Sequence, residues 1–128
     1  MPKYQFVCEA LPEYLPDQSS PGEGTYVFAY TITIRNAGNV AAQLIARHWD
    51  IEDADGRVQT VDGLAVVGHQ PLLQPGESFR YSSSVSLRTP MGIMSGHYFN
   101  VAIDGTRFES PIPAFVLRAQ GVDGGVLH

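Results

Sequence analysis

Tyr26-Val27-Phe28-Ala29-Tyr30-Thr31-Ile32-Thr33-Ile34 sets the architecture of this chain. Tyr26, Phe28, Tyr30, Ile32 and Ile34 occupy every second position, and Val27, Ala29, Thr31 and Thr33, followed by Arg35, fill the positions between them. A period of two is that of a half-buried antiparallel strand, because successive side chains leave a pleated backbone on opposite faces. Asn36-Ala37-Gly38-Asn39 then supplies turn chemistry and ends the strand.

Downstream the same period recurs between Gly/Pro punctuation. Gln43 to Ile51 places Ile45, Arg47, Trp49 and Ile51 on one side and Leu44, Ala46, His48 and Asp50 on the other, so Trp49 is expected to anchor the core with Arg47 near its edge. Asp55-Gly56 is a hairpin signal. Short strands are expected at Arg57 to Val61 and around Ala65 to Val67, whereas Pro71 and Pro75 exclude a central strand or a helix between them. Ser78 to Leu87 is a serine-rich strand. Tyr98 to Ile103 and Phe108 to Leu117 form a last hairpin across Asp104-Gly105, with Pro111 and Pro113 confining part of the final strand to an edge. Leu15 to Gly24 is a Pro/Ser/Gly connection between the first two strands.

Seven or eight strands spaced roughly ten residues apart, with no useful helical period, predict an all-β fold: an immunoglobulin- or fibronectin-type-III-like antiparallel sandwich. The 128 residues suffice for one domain, expected over residues 1–118, and the Gly-rich end, residues 119–128, is expected to be a flexible tail. Tyr98 stands where a tyrosine corner would, and its hydroxyl is expected to bond the backbone near Leu87 to Met91.

Charge narrows the function classes. Eight basic residues oppose thirteen acidic ones for a formal charge of −5, Lys3 is the single lysine, and the arginines are scattered. Nucleic acid and anionic membrane both call for a clustered basic surface, so neither is an expected partner. The start lacks a basic, then apolar, then small-residue pattern, and no run of eighteen apolar residues occurs, so a cytoplasmic protein without membrane insertion is expected. Cys8, the single cysteine, allows no internal disulfide and reads as a small buried strand residue.

Arg47-His48-Trp49, the Val66-to-Pro71 segment, Pro75-Gly76-Glu77, Phe79-Arg80-Tyr81-Ser82-Ser83, Thr89-Pro90, Gly96-His97-Tyr98 and Ile112-Pro113-Ala114-Phe115 occur in an order and spacing that closely resemble the bacterial ApaG family, also called CorD. The resemblance runs from about Tyr4 to Leu117. It implies a fibronectin-type-III-like sandwich, a link to cobalt and magnesium tolerance, and, from related eukaryotic domains, a role in protein–protein interaction.

The resemblance also brings a Gly-x-Gly-x-x-Gly segment that invites pyrophosphate binding. Here it reads Gly63-Leu64-Ala65-Val66-Val67-Gly68, with alanine at the middle glycine, and no helix is expected to open on it as a phosphate site requires. A turn and bulge around a short strand is the plainer reading; Gly68-His69 is the remaining candidate anion nest. His48 and Asp50 share a strand face about 7 Å apart and are the candidate ligands for a divalent metal, two where a structural site needs four. Glu52 to Gly56 lacks the rest of a calcium loop, and no Gly-x-Ser-x-Gly elbow accompanies the serines.

The function these residues predict is non-enzymatic: a module binding a protein partner or a small anion, with no cofactor, through Arg47, His48, Gly63, Gly68, His69 and Gln70. A direct binder of a divalent metal or of pyrophosphate or a dinucleotide polyphosphate at the Gly63–Gly68 turn is the alternative. Homodimerisation by edge-strand pairing is a further expectation.

Overall fold

A computed structural model describes residues 2–119, and the expected tail from residue 120 onward lies outside the described residues. Eight strands follow in order: β1 (Phe6–Tyr14), β2 (Tyr26–Asn36), β3 (Ala42–Asp53), β4 (Val58–Leu64), β5 (Leu72–Leu73), β6 (Ser78–Leu87), β7 (Met91–Ala102) and β8 (Arg107–Arg118). They form two antiparallel sheets, β1-β2-β6 and β4-β3-β7-β8, with the two-residue β5 pairing the start of β3. The fold is an all-β antiparallel sandwich of the immunoglobulin and fibronectin-type-III kind. Single 3₁₀ turns at Pro16–Gln18 and Pro21–Glu23 occupy the connection between β1 and β2.

The alternation in β2 is realised as read: Phe28, Tyr30, Ile32 and Ile34 are buried between the sheets. Opposite them Trp49 lies edge-on to Tyr30 and to Phe115, with ring centroids 5.4 and 5.9 Å away. Transfer of such side chains from water supplies about 1.5–3 kcal/mol each, the main force holding two sheets face to face. Trp49 and Tyr81 are therefore core residues.

Three expectations are corrected. Ile45 leaves the phase of Trp49 and Ile51, because the pairing of β3 with β7 slips between Leu44 and Ala46. Ala42 and Leu44 before the bulge, and Trp49 and Ile51 after it, all reach the core. Residues 65–67 make a tight turn instead of a strand: Val66 and His69 bond each other through both backbone pairs, at 2.8 and 2.9 Å, around Val67 and Gly68. Finally, Tyr98 is no tyrosine corner. It lies mid-strand in β7 facing inward, and its hydroxyl meets that of Tyr81 from the other sheet at 2.6 Å. Burial raises both phenol pKa values, so the pair stays protonated and couples the sheets.

Candidate functional site: the outer face and latch of the five-stranded sheet

Because side chains alternate, neighbours Arg47 and His48 leave β3 on opposite faces. The candidate residues expected to form one cluster therefore divide in two.

On the inner side Arg47 extends along the sheet edge, and its Nη1 donates to the carbonyls of Leu64 and Ala65, both at 2.8 Å. The guanidinium lies on Gly63, where a Cβ would come within 2.8–2.9 Å of it, so any other residue there would push the Arg47 side chain off its present position. Gln70 completes the arrangement: its Nε2 donates to the bulge carbonyl of Ile45 at 3.0 Å, and its own backbone carbonyl accepts from Gln43 Nε2 at 2.9 Å. Ile45 also takes the amide of Ala65, and the His69 ring packs on Phe79 of β6. Arg47, Gly63, Gly68, His69 and Gln70 are thus brought together as a latch that pins the 64–70 segment to the β3 bulge.

On the outer side His48 is clamped between two carboxylates. Nδ1 is 2.6 Å from Asp62 of β4, and Nε2 is 3.1 Å from both oxygens of Asp50. The Asp62 hydrogen bond raises the His48 pKa above its ordinary value; desolvation opposes this, and Asp50 adds to it. Below the folded-state pKa both ring nitrogens donate, which matches two acceptors. His97 of β7 stacks on His48 with centroids 4.9 Å apart and approaches Glu109 of β8 at 4.0 Å, while Phe99 stands edge-on to His97 at 4.8 Å.

The register that builds this row is Asp62–His48–His97–Pro111 across four strands. Above it lies Leu64–Ala46–Phe99–Glu109, and at the other end Ile93 of β7 stands opposite Val116 of β8. Leu64, Ile93 and Val116 are exposed by 72%, 47% and 46%, so apolar side chains stand at both ends of a solvent-facing sheet whose middle carries the His48–His97 row and the polar row Thr60–Asp50–Ser95. Asp62 and Glu109 were missed by sequence reasoning, and His97 was noticed as a histidine without its place beside His48. Asp62 was within reach, since a hairpin about Asp55-Gly56 places residue 62 opposite residue 48 by counting; His97 was hidden because Gly92 and Gly96 interrupt the pattern of β7.

The family model for the ApaG domain matches residues 16–102, more than half of the chain. Protein ApaG of Acidovorax sp. (strain JS42) is 60% identical over 121 residues, covering 93% of this chain and 88% of that one. Protein ApaG of Ralstonia nicotianae is 57% identical over 117 residues, covering 91% and 94%. This chain belongs to the ApaG family. Among solved structures, an ApaA protein from Bordetella pertussis superposes with a TM-score of 0.91 at 48% identity, covering 94% of this chain and 98% of that one.

In this ApaG chain the glycine-containing segment turns three of its amides onto the protein's own carbonyls. The amides of Ala65, Val66 and His69 are spent on the carbonyls of Ile45, His69 and Val66, and β5 follows where a phosphate site needs a helix. The departure at Ala65 has a cost. Its φ is +66° and that of Val67 is +48°, conformations that disfavour any residue with a Cβ. Ala65→Gly is expected to stabilise the protein by about 0.5–1 kcal/mol, read as a raised urea midpoint at unchanged slope.

Among the described residues no group of three or more His, Cys, Asp and Glu side chains is placed to hold an ion. His48 and Asp50 share a face as expected, but they bond each other directly. Cys8 is buried, and burial pushes its thiol up to about 12, so it offers no thiolate at neutral pH. No helix among the described residues is long and apolar enough to cross a membrane.

The clamp predicts a pH dependence. A histidine whose folded pKa exceeds its unfolded value of about 6.5 contributes stability that is fully present below that value and is lost as pH rises through the folded pKa. Thermal midpoints should fall over that window, and the fall should shrink in His48→Gln. Ring-proton NMR should show His48 titrating above pH 6.5, and an Asp62→Asn variant should bring it down.

Proposed function

We propose that this ApaG protein is a non-enzymatic cytoplasmic module that binds another protein through the outer face of its five-stranded sheet. The observation that carries this is the stacked His48–His97 pair, held by Asp62 and Asp50, at the centre of a face that leaves Leu64, Phe99, Ile93 and Val116 in solvent. Exposed apolar side chains flanking fixed polar groups and aromatic rings are the composition of interfaces, where the apolar groups supply affinity and the polar ones specificity. Burial of the same face against a partner would strengthen the His48–Asp62 interaction by excluding water.

A tie to cobalt and magnesium tolerance is carried, in this reading, by the partner and not by an ion on His48, because a ring that donates N–H to carboxylates from both nitrogens has no lone pair left for an ion. The test is affinity capture from a bacterial lysate with the wild-type chain, Phe99→Ser and His97→Ala side by side, each first shown to be folded by circular dichroism. Both exposed-face variants should lose the captured protein while Arg35→Ala on the other sheet retains it. Retention by folded Phe99→Ser would overturn the assignment of this face.

A further inference from the structure

Each sheet ends in edge strands whose backbone groups would pair with any extended chain, and natural sheets protect them. β1 and β8 pack together along one side of the sandwich and carry Pro12, Pro111 and Pro113. On the open side, β6 offers mainly serine. β4 has no proline, lysine or bulge, and it exposes Val58 and Leu64 by 60% and 72%.

The direction of its free groups follows from the ladder. Asp53 donates to the carbonyl of Arg57 and Ala65 to that of Ile45, so residues 57 and 65, and by alternation 59, 61 and 63, bond to β3. The N–H and C=O groups of Val58, Thr60 and Asp62 and the N–H of Leu64 therefore point away from the sheet and are free, while the Leu64 carbonyl is taken by Arg47. Beside this edge, between the ends of β4 and β6, lies an open groove of about 910 Å³ lined in part by Arg57 and Arg88. Neither guanidinium has a hydrogen-bonding or ion-pair partner among the described residues. Asp53 and Glu23 also line the groove, but Asp53 Oδ1 already accepts the amides of Asp55 and Arg57. The groove thus balances two guanidinium groups against two carboxylates, and neither guanidinium is paired with either of them.

We infer that β4 accepts an extended segment of a partner protein as an added strand, with acidic side chains facing the Arg57–Arg88 groove and apolar side chains continuing the Val58–Leu64 face. Main-chain pairing supplies affinity in this mode, and the alternating side chains supply selectivity. A second copy of the chain is the poorer occupant, because β4 itself would bring Gln59, Val61 and Gly63 to the inner side, with no carboxylate for either arginine. The inference rests on the reading of this protein as an interaction module and names the form of its partner.

The test uses a capped peptide of seven residues, the length of β4, alternating valine and glutamate, and a second in which lysine replaces glutamate. Titrated into the ¹⁵N-labelled chain, the glutamate peptide should shift the amides of Val58, Thr60, Asp62 and Leu64 saturably, with half-saturation at or below about 1 mM. The lysine peptide should not. Thr60→Pro removes an N–H that β3 does not use, so the fold should persist by circular dichroism while binding is lost. Arg57→Glu with Arg88→Glu should weaken binding about tenfold or more. Absence of shifts with the glutamate peptide, or equal binding of the lysine peptide, overturns the inference. Movement of the same amides on dilution alone overturns it in favour of a second copy. Failure of the peptide with Phe99-dependent capture intact removes the added strand alone, whereas loss of both removes the interaction reading beneath it.

Discussion

Gly96→Ala is expected to cost about 3 kcal/mol or more and to lower the thermal midpoint by about 10 °C. Gly96 faces Trp49 at the point where β7 slips its register against β8. A Cβ there would overlap the carbonyl oxygen of His48 and stand 3.2 Å from the Cα of Trp49. Both are backbone atoms of the central strand, so the clash cannot be relieved by a rotamer change and must separate β3 from β7 or twist them locally. The expected consequence reaches the surface, since the same separation would open the His48–His97 stack, and the two histidine ring spectra should change together. Gly22 provides the control. Nothing lies within 4 Å of the point its Cβ would occupy, and Gly22→Ala should leave the midpoint within about 2 °C of wild type.

The second large effect concerns the buried Tyr81–Tyr98 pair. Tyr98→Phe removes one hydroxyl and strands the other in an apolar interior, at a cost of about 2 kcal/mol, mostly the uncompensated desolvation of the survivor. Tyr81→Phe should cost about the same. The double variant should be less destabilised than the sum, with a coupling of about 1–2 kcal/mol, because no stranded hydroxyl is left. Strict additivity in urea unfolding would show that the hydroxyls do not act as a pair. The cycle also separates the roles of β6 and β7: the bond crosses from one sheet to the other, so its loss acts on sheet-to-sheet docking and leaves each ladder intact.

Much of the architecture was legible because period-2 burial is a local property. The inward positions of β2 are visible in the alternation of Phe28, Tyr30, Ile32 and Ile34, and the hairpin at Asp55-Gly56 is visible in its turn chemistry. The bulge at Ile45 was not legible, since a one-residue slip depends on what β7 presents opposite it. Nor was β7 over Met91 to His97, where glycines dictated by neighbouring backbone interrupt the apolar pattern.

The candidate site divides along the same line. That Arg47 and His48 stand on a strand, and that His48 shares a face with Asp50, were properties of the chain alone. Which residues meet them was set by register: Asp62 arrives from β4, His97 from β7 and Glu109 from β8, while Gly63 and Gln70 join Arg47 beneath the 64–70 turn. The phase of β2, the hairpin turns at Asp55-Gly56 and Asp104-Gly105, and family membership could be read from residues 1–128 unaided, because each follows from spacing along one chain. The division of one candidate cluster into two, a latch inside the edge and a histidine–carboxylate row outside it, emerged only on folding, because pairing between distant strands sets which side chains become neighbours.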